Sequence, residues 1–260
     1  MSVFRDADFV SPEYALYRPH YPEALYQKIF EFWGRKSFKG NNSVALDVAT
    51  GTGQAAQALA QYFDLVIATD VSEVQLKSAV KLDNIQYRLS SAEDLSSVSS
   101  NSVDLVTVAE GAHWFNLPLF FAEVDRVLKP DGVLAIWGYN TAIMNTNAAT
   151  KLNLKWADEI LGPYWEKGRD CVAQNYVDVV PPFARTERFI VPSMRKLTVK
   201  DYVRYLETWS CYKTYRQRNP ALPDPLIDFT EELLDSLQLQ DLNQETDVRW
   251  DLFLILSSRK

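Results

Sequence analysis

Residues 44–56 read VALDVATGTGQAA. An apolar run with one acid in it breaks into Thr-Gly-Thr-Gly and resumes as an alanine-rich stretch. A run this short fits a buried strand. The glycines at 51 and 53 permit a backbone geometry and a close approach that a Cβ would block. The residues that follow read as a helix start. Strand, tight turn and helix in immediate succession confine the chain to an α/β layering.

The rest of the chain extends that pattern. Residues 65–69 (LVIAT), 85–89, 103–109 (VDLVTVA) and 133–137 (VLAIW) read as further strands. Helices are expected at 54–62, in EVQLKSAVKL behind an N-cap at Ser72, and at 117–128, where Lys129-Pro130-Asp131-Gly132 reads as a turn. Before this unit, 21–34 reads as a helix with Pro22 in its first turn and Gly34 as its stop, and Leu25, Ile29, Phe32 and Trp33 on one face. After residue 138 the alternation fails. Residues 139–184 read as irregular. Strands follow at 186–191 and 248–256, with helices at 199–208 and 225–239. Residues 1–20 have no clean period. The expectation is a single domain over 1–260, with a cofactor-binding core at about 40–138 and lid or substrate elements at about 1–34 and 139–240. The fold class expected is a Rossmann-like, doubly wound, mostly parallel seven-stranded sheet with an antiparallel C-terminal strand and a helical or irregular lid.

Composition narrows the function. A content of 47% hydrophobic residues suffices for a core, and 13% aromatic residues leave rings for a lined pocket. The net charge is -7 and no Lys/Arg cluster stands out, which disfavours nucleic acid as a partner. Only Cys171 and Cys211 are present, so no disulfide framework is expected. The start MSVFRDADFV carries no apolar run of signal-peptide length and no segment has membrane-span length. A cytoplasmic protein with no membrane partner, monomeric or homodimeric, is expected.

The glycine turn itself is ambiguous. Its G-T-G-Q-A-A fits the dinucleotide pattern, with Asp70 as an acid about 20 residues on that suits ribose hydroxyls. An NAD(P)-dependent oxidoreductase is therefore one reading, and a degenerate cofactor-binding protein without catalysis is another. Asp47 weighs against a dinucleotide, because a carboxylate near the turn repels phosphates at the helix N-terminus. A cationic cofactor tolerates it, although Asp47 also has a purely structural reading as a hydrogen-bonded buried acid.

Several motifs in combination carry a resemblance. Asp47-Val-Ala-Thr-Gly51-Thr-Gly53, Asp70 at the end of the second strand, Ser91-Ala92-Glu93-Asp94 after the third and Leu128-Lys-Pro-Asp-Gly132 before the fifth resemble the class I S-adenosylmethionine (SAM) methyltransferases. The resemblance covers about 44–138. It departs from the family at Ala49, where the family has its first glycine. It implies SAM as cofactor and S-adenosylhomocysteine as product, held by Asp47, Ala49, Gly51, Gly53, Gln54, Asp70, Val71, Ala92, Glu93 and Glu110. The loop before Glu93 would cover the adenine, and the Glu93 carboxylate has an alternative role as the cap of a following short helix.

A narrower resemblance spans most of the chain. Tyr17-Arg18-Pro19-His20-Tyr21-Pro22, Ala112-His113-Trp114-Phe115, Ala135-Ile-Trp-Gly-Tyr139, Leu161-Gly-Pro-Tyr-Trp165-Glu166 with Gly168-Arg169, and Tyr202-Val-Arg204 with Thr208-Trp209-Ser210 look like the fungal trans-aconitate methyltransferase group. That group implies O-methylation of a carboxyl group on a small organic acid. Candidate substrate residues are Tyr17, Arg18, Tyr21, His113, Trp114, Tyr139, Trp165, Arg169 and Trp209. Arg204 and Tyr212 are weaker candidates, and Trp137 reads as core.

Methyl transfer to a carboxylate needs alignment and exclusion of water rather than a base, since carboxyl groups are ionised at neutral pH. No nucleophile–base set and no metal-spaced cluster is evident, and no metal is expected. His113 is the one candidate catalytic group. Arg18 and Arg169 are candidate carboxylate clamps, because arginine pairs with a carboxylate through two parallel hydrogen bonds. Methyltransferases acting on another small molecule, an amine, nucleic acid or protein stay open; E-G-A-H-W-F stands where an amino-methylation motif would follow the fourth strand.

Overall fold

The computed structural model describes residues 17–35 and 38–259. The part of the expected lid at 1–16 lies outside them, as does the MSVFRDADFV start. Helix α1 spans Glu23–Trp33. The chain then alternates β1 (Val44–Val48), α2 (Gln54–Leu59), β2 (Leu65–Asp70), α3 (Glu73–Ser78), β3 (Ile85–Leu89), β4 (Val103–Ala109), α4 (Leu117–Val127) and β5 (Leu128–Tyr139). Beyond these come β6 (Ile143–Met144), α5 (Asn147–Lys155), α6 (Arg169–Ala173), β7 (Arg185–Thr198), α7 (Val199–Glu207), α8 (Ser210–Arg218), α9 (Pro225–Leu237) and β8 (Glu245–Ser258).

Strands β3, β2, β1, β4 and β5 lie side by side in parallel. β8 runs antiparallel to β5, and its other edge pairs with β7 along the whole of both strands. The two-residue β6 pairs with β8 beyond the end of β5, giving eight strands among the described residues where seven were expected. The carboxyl ends of all five parallel strands therefore open on one side, where such sheets bind ligands.

Side-chain alternation explains the layering. Ala45, Leu105, Val133, Ala135, Trp137 and Leu254 point to one face, with α1, α2, α7 and α9. Leu46, Val106, Leu134, Ile136 and Ile255 point to the other, with α4 and the Val172–Val179 region. A strand turns successive side chains to opposite faces, so a sheet covered on both sides reads as an unbroken apolar run.

Helix ends follow local chemistry. Gly34 takes φ 74 and its N–H donates to the Glu31 carbonyl at 3.1 Å, which closes α1 as its sequence position requires. Ser72 caps α3, its Oγ accepting from Gln75 N at 3.4 Å. That helix stops at Ser78, short of the expected end, because Ala79 is already extended.

Three readings need correction. Lys129–Gly132 does not end α4 as a turn between elements. It is a bulge inside β5, where Val103 faces Leu128 but Leu105 faces Val133. Lys129 Nζ fixes the bulge by pairing with Asp104 at 2.6 Å, and Trp33 Nε1 donates to the Asp131 carbonyl at 2.7 Å. Next, α1 is not a lid element: Leu25, Tyr26 and Ile29 are core. Finally, 139–184 is not irregular throughout: it carries α5 and α6, with short helical turns between them. α5 escaped the periodicity because it buries Asn153, whose Nδ2 donates to the Ala142 carbonyl at 2.8 Å. No helix among the described residues is long and apolar enough to cross a membrane.

Candidate active site

The glycine turn closes directly over the end of β1. Ala49, Gly51 and Gly53 all take positive φ, at 56°, 58° and 85°. Ala49 holds a conformation that costs a residue with a Cβ on the order of 1 kcal/mol. Its methyl points at Gly111, where an added Cβ would come within 2.9 Å of it. Gly53 supports from behind: a Cβ there would strike the Tyr87 hydroxyl at 2.3 Å.

Asp47 lies beneath the turn rather than in a cavity. It is fully buried, and its oxygens accept from Thr50 Oγ1 and from Thr107 Oγ1, the latter at 2.7 Å. Burial pushes its carboxyl up to about 6. It ties the turn to β4, which is the structural role that its place in the strand also allowed.

Beside the turn is a cavity of about 360 Å³. Ala49, Gly51, Gln54, Asp70, Val71, Ala92, Glu93 and Glu110 line it, as the sequence reading expected; Asp47 and Gly53 do not. Asp70 is set by two backbone donors: Oδ2 accepts from Gly51 N and Oδ1 from Ser72 N, each at 2.8 Å. Each oxygen keeps a lone pair for a diol. Burial raises its carboxyl, and these backbone bonds offset part of the rise. Glu93 caps α4 rather than a short helix of its own, its Oε1 accepting from Asn116 N at 2.8 Å. Gln75, Ser90, Ser91, Gly111 and Phe115 complete the walls, and Gln75 and Ser90 carried no signal in the sequence. The pocket thus offers a carboxylate for ribose hydroxyls, a glycine-lined approach and apolar walls, which fit a nucleoside cofactor.

A second cavity of about 120 Å³ adjoins the first. Arg18, Glu110, Trp114 and Tyr139 line both, so a group bound in one can reach a group bound in the other at that seam. The second is further walled by His113, Trp165, Arg169 and Trp209, all of them expected substrate residues. Tyr21 lines only the first cavity, and Tyr17 and Tyr212 line neither. Tyr212 instead donates to Asp224 at 2.8 Å. Arg204 pairs with Glu207 at 2.9 Å on the surface, and Trp137 is core.

Both arginines are stacked and steered. Arg18 Nη2 donates to the Thr208 carbonyl at 3.0 Å, Nη1 donates to the Tyr139 hydroxyl at 3.4 Å, and its guanidinium lies 5.6 Å from the Tyr205 ring. Arg169 donates to Asn140 Oδ1 at 3.0 Å and lies 4.7 Å from the Trp165 ring. Rings and carbonyl or amide oxygens orient a planar guanidinium.

Glu110 sits at the seam with φ 58° and accepts a hydrogen bond from Tyr139 N. Burial pushes its carboxyl up to about 7, against the pull of that hydrogen bond and of Arg18 and Arg169. His113 is driven the other way, to about 4, by burial and by Arg169, so its imidazole is neutral at physiological pH.

Comparison with known proteins agrees with this geometry. Residues 46–136 match the methyltransferase domain family, a stretch running from β1 into β5. A Dictyostelium discoideum protein assigned to the methyltransferases is 35% identical over 96% of this chain and 94% of its own length. The chain is a class I SAM-dependent methyltransferase. The methyltransferase also resembles CRG1 of Saccharomyces cerevisiae, assigned as SAM-dependent, at 27% identity over 99% of this chain and 98% of CRG1. The solved structure of an Anaeromyxobacter dehalogenans protein, described as a type II methyltransferase, superposes with a TM-score of 0.80 at 27% identity, covering 93% of this chain and 98% of that one. The dinucleotide reading of the glycine turn is set aside. The cofactor of this methyltransferase is SAM, and the first cavity offers it the carboxylate, the glycine-lined approach and the apolar walls described above.

Proposed function

We propose that this methyltransferase esterifies a carboxyl group of a small organic polycarboxylic acid of the aconitate type. The observation that carries the reading is the second cavity, where Arg18 and Arg169 converge among aromatic rings beside the seam with the first. Arginine binds carboxylate with two parallel hydrogen bonds, and an enclosed site strengthens the pairing. A polycarboxylate has one group for the clamp and another for reaction. Bound SAM supplies a methyl group on a cationic sulfur, and its transfer to a carboxylate oxygen leaves a thioether and an ester with no proton to remove. The chain therefore needs no base. Its contribution is to hold the acid by the two guanidinium groups, aim one oxygen across the seam and keep water out with Trp114, Tyr139, Trp165 and Trp209.

A second reading is favoured by Glu110, since a carboxyl at the seam would suit an amine. One assay separates them. The protein is incubated with methyl-labelled SAM and a panel of di- and tricarboxylic acids, monocarboxylic acids and small amines, and the products are read by mass spectrometry. A base-labile methyl ester formed from a polycarboxylic acid is the expected result. Label on an amine alone would replace this reading with the second.

A further inference from the structure

We infer that Tyr176 holds His113 in the tautomer whose proton sits on Nε2, making His113 a hydrogen-bond donor, and not a base, toward a substrate oxygen in the second cavity. The inference rests on that cavity being the acceptor site. His113 Nδ1 lies 2.7 Å from the Tyr176 hydroxyl. Tyr176 is fully buried, and its ring packs edge-on against Phe253 at 5.0 Å. It belongs to a pair, Asn175 and Tyr176, that both take φ 53°. Such strain persists where the surroundings over-determine a position.

The direction of the hydrogen bond follows from what each group needs. Among the described residues the phenol oxygen has no other hydrogen-bond partner than Nδ1. A buried hydroxyl must place its own proton, and were Nδ1 the donor that proton would be left buried without an acceptor. Nδ1 is therefore an acceptor. In a neutral imidazole the other nitrogen then carries the proton. The ring is neutral because burial and the facing Arg169 oppose a second proton. Glu110 faces Tyr176 from the seam and, like burial, keeps the phenol protonated.

His113 lines the second cavity, and with Nδ1 taken by Tyr176 the nitrogen left for a bound group is Nε2. Among the described residues His113 makes no other side-chain hydrogen bond to the protein. Gly168, at φ 102°, passes so close that a Cβ would lie 3.1 Å from His113 Cδ2, which walls the ring in place. Tyr176 is thus a positioning residue. An Nε2–H donor stabilises an oxygen that is already anionic and cannot accept a proton from a hydroxyl or an ammonium group.

The chain has two histidines, so the protein labelled with ¹⁵N-histidine gives two ring systems, which His20→Gln assigns. Long-range ¹H–¹⁵N spectra distinguish the tautomers by their coupling patterns. The free wild-type protein is expected to show His113 as a single Nε2–H form, and Tyr176→Phe to lose that single form, because one neutral hydrogen bond biases the two tautomers about fivefold or more. An Nδ1–H pattern in the wild type, or an unchanged Nε2–H pattern in Tyr176→Phe, overturns the inference. Should Tyr176→Phe not fold, a wild-type Tyr hydroxyl proton coupled across the hydrogen bond to Nδ1 gives the same answer, and its absence overturns it. A separate titration with trans-aconitate in the presence of S-adenosylhomocysteine bears on the substrate reading. A shifted Nε2–H signal supports an acid beside His113. An unmoved signal, with the tautomer still held by Tyr176, removes the acid and leaves the Tyr176 device standing.

Discussion

Asp70 and Glu110 are both raised carboxyls at strand ends, yet they respond differently to charge. Asp70 receives two backbone N–H bonds that favour its ionised form, and this is the form that accepts hydroxyls. Asp70→Ala is expected to weaken SAM binding by roughly 1.5–3 kcal/mol, the scale of a charged hydrogen bond, as isothermal titration would read. Glu110 shifts from the ordinary 4.5 to about 7. Across that window the folded protein keeps a proton that the unfolded chain has released. Stability therefore falls as pH rises through the window, and the cost is complete above it. Glu110→Gln keeps an acceptor for Tyr139 N and cannot ionise. It is expected to raise the Tm at pH 8 by a few degrees, at roughly 2–4 °C per kcal/mol for a chain of this size, with no gain at pH 4.5. Calorimetry at both pH values checks this. Ionised Glu110 also repels an anionic substrate. For a polycarboxylate, kcat/KM is expected to fall as pH rises through about 7, and the Gln variant to flatten the profile.

At the scale of elements, the glycine turn and the β4 loop are one packing unit. Ala49 and Gly111 are far apart in the chain, but their Cβ positions compete for one space. Gly111→Ala is expected to destabilise the protein by roughly 1–3 kcal/mol through overpacking, although φ -116° suits alanine. Ala49→Gly should recover most of that loss while adding little alone, because it removes both the clash and a positive-φ Cβ. A double-mutant cycle in urea measures the coupling. Additive effects would show that the two loops move apart instead.

Over the whole molecule, the second cavity is assembled from distant pieces: Arg18 near the start, His113 after β4, Arg169 in the helical insertion and Trp209 between α7 and α8. Each arginine is tethered to a different element, Arg18 to Thr208 and Arg169 to Asn140. Arg169→Met should therefore lower kcat/KM for a polycarboxylate about a hundredfold while leaving SAM affinity nearly unchanged. Arg18→Met should do the same and also loosen the segment anchored on Thr208, so its Tm should fall where that of Arg169→Met does not. Steady-state kinetics with thermal scans decides between clamp and strut.

The parallel half of the sheet was legible because its physics is local. A buried parallel strand is a short apolar run, a glycine turn needs positive φ, and the acid ending β2 stands at a fixed distance along the chain. Positions 51, 53 and 70 were read for those reasons, and 49, 54, 92, 93 and 110 from the family resemblance; all of these but 53 line the first cavity. What stayed hidden depends on neighbours remote in sequence. The bulge in β5 looks like any Lys-Pro-Asp-Gly turn until Asp104 and Trp33 hold it in the sheet. α5 has no apolar period because it buries a hydrogen-bonded asparagine. Asp47 had both readings, and only Thr107, on another strand, assigns it to the floor. Tyr176 carried no signal at all. Its role exists only because the turn at residues 175–176 returns a phenol to the imidazole of His113, and a hydrogen bond between groups 63 residues apart is a property of the folded chain.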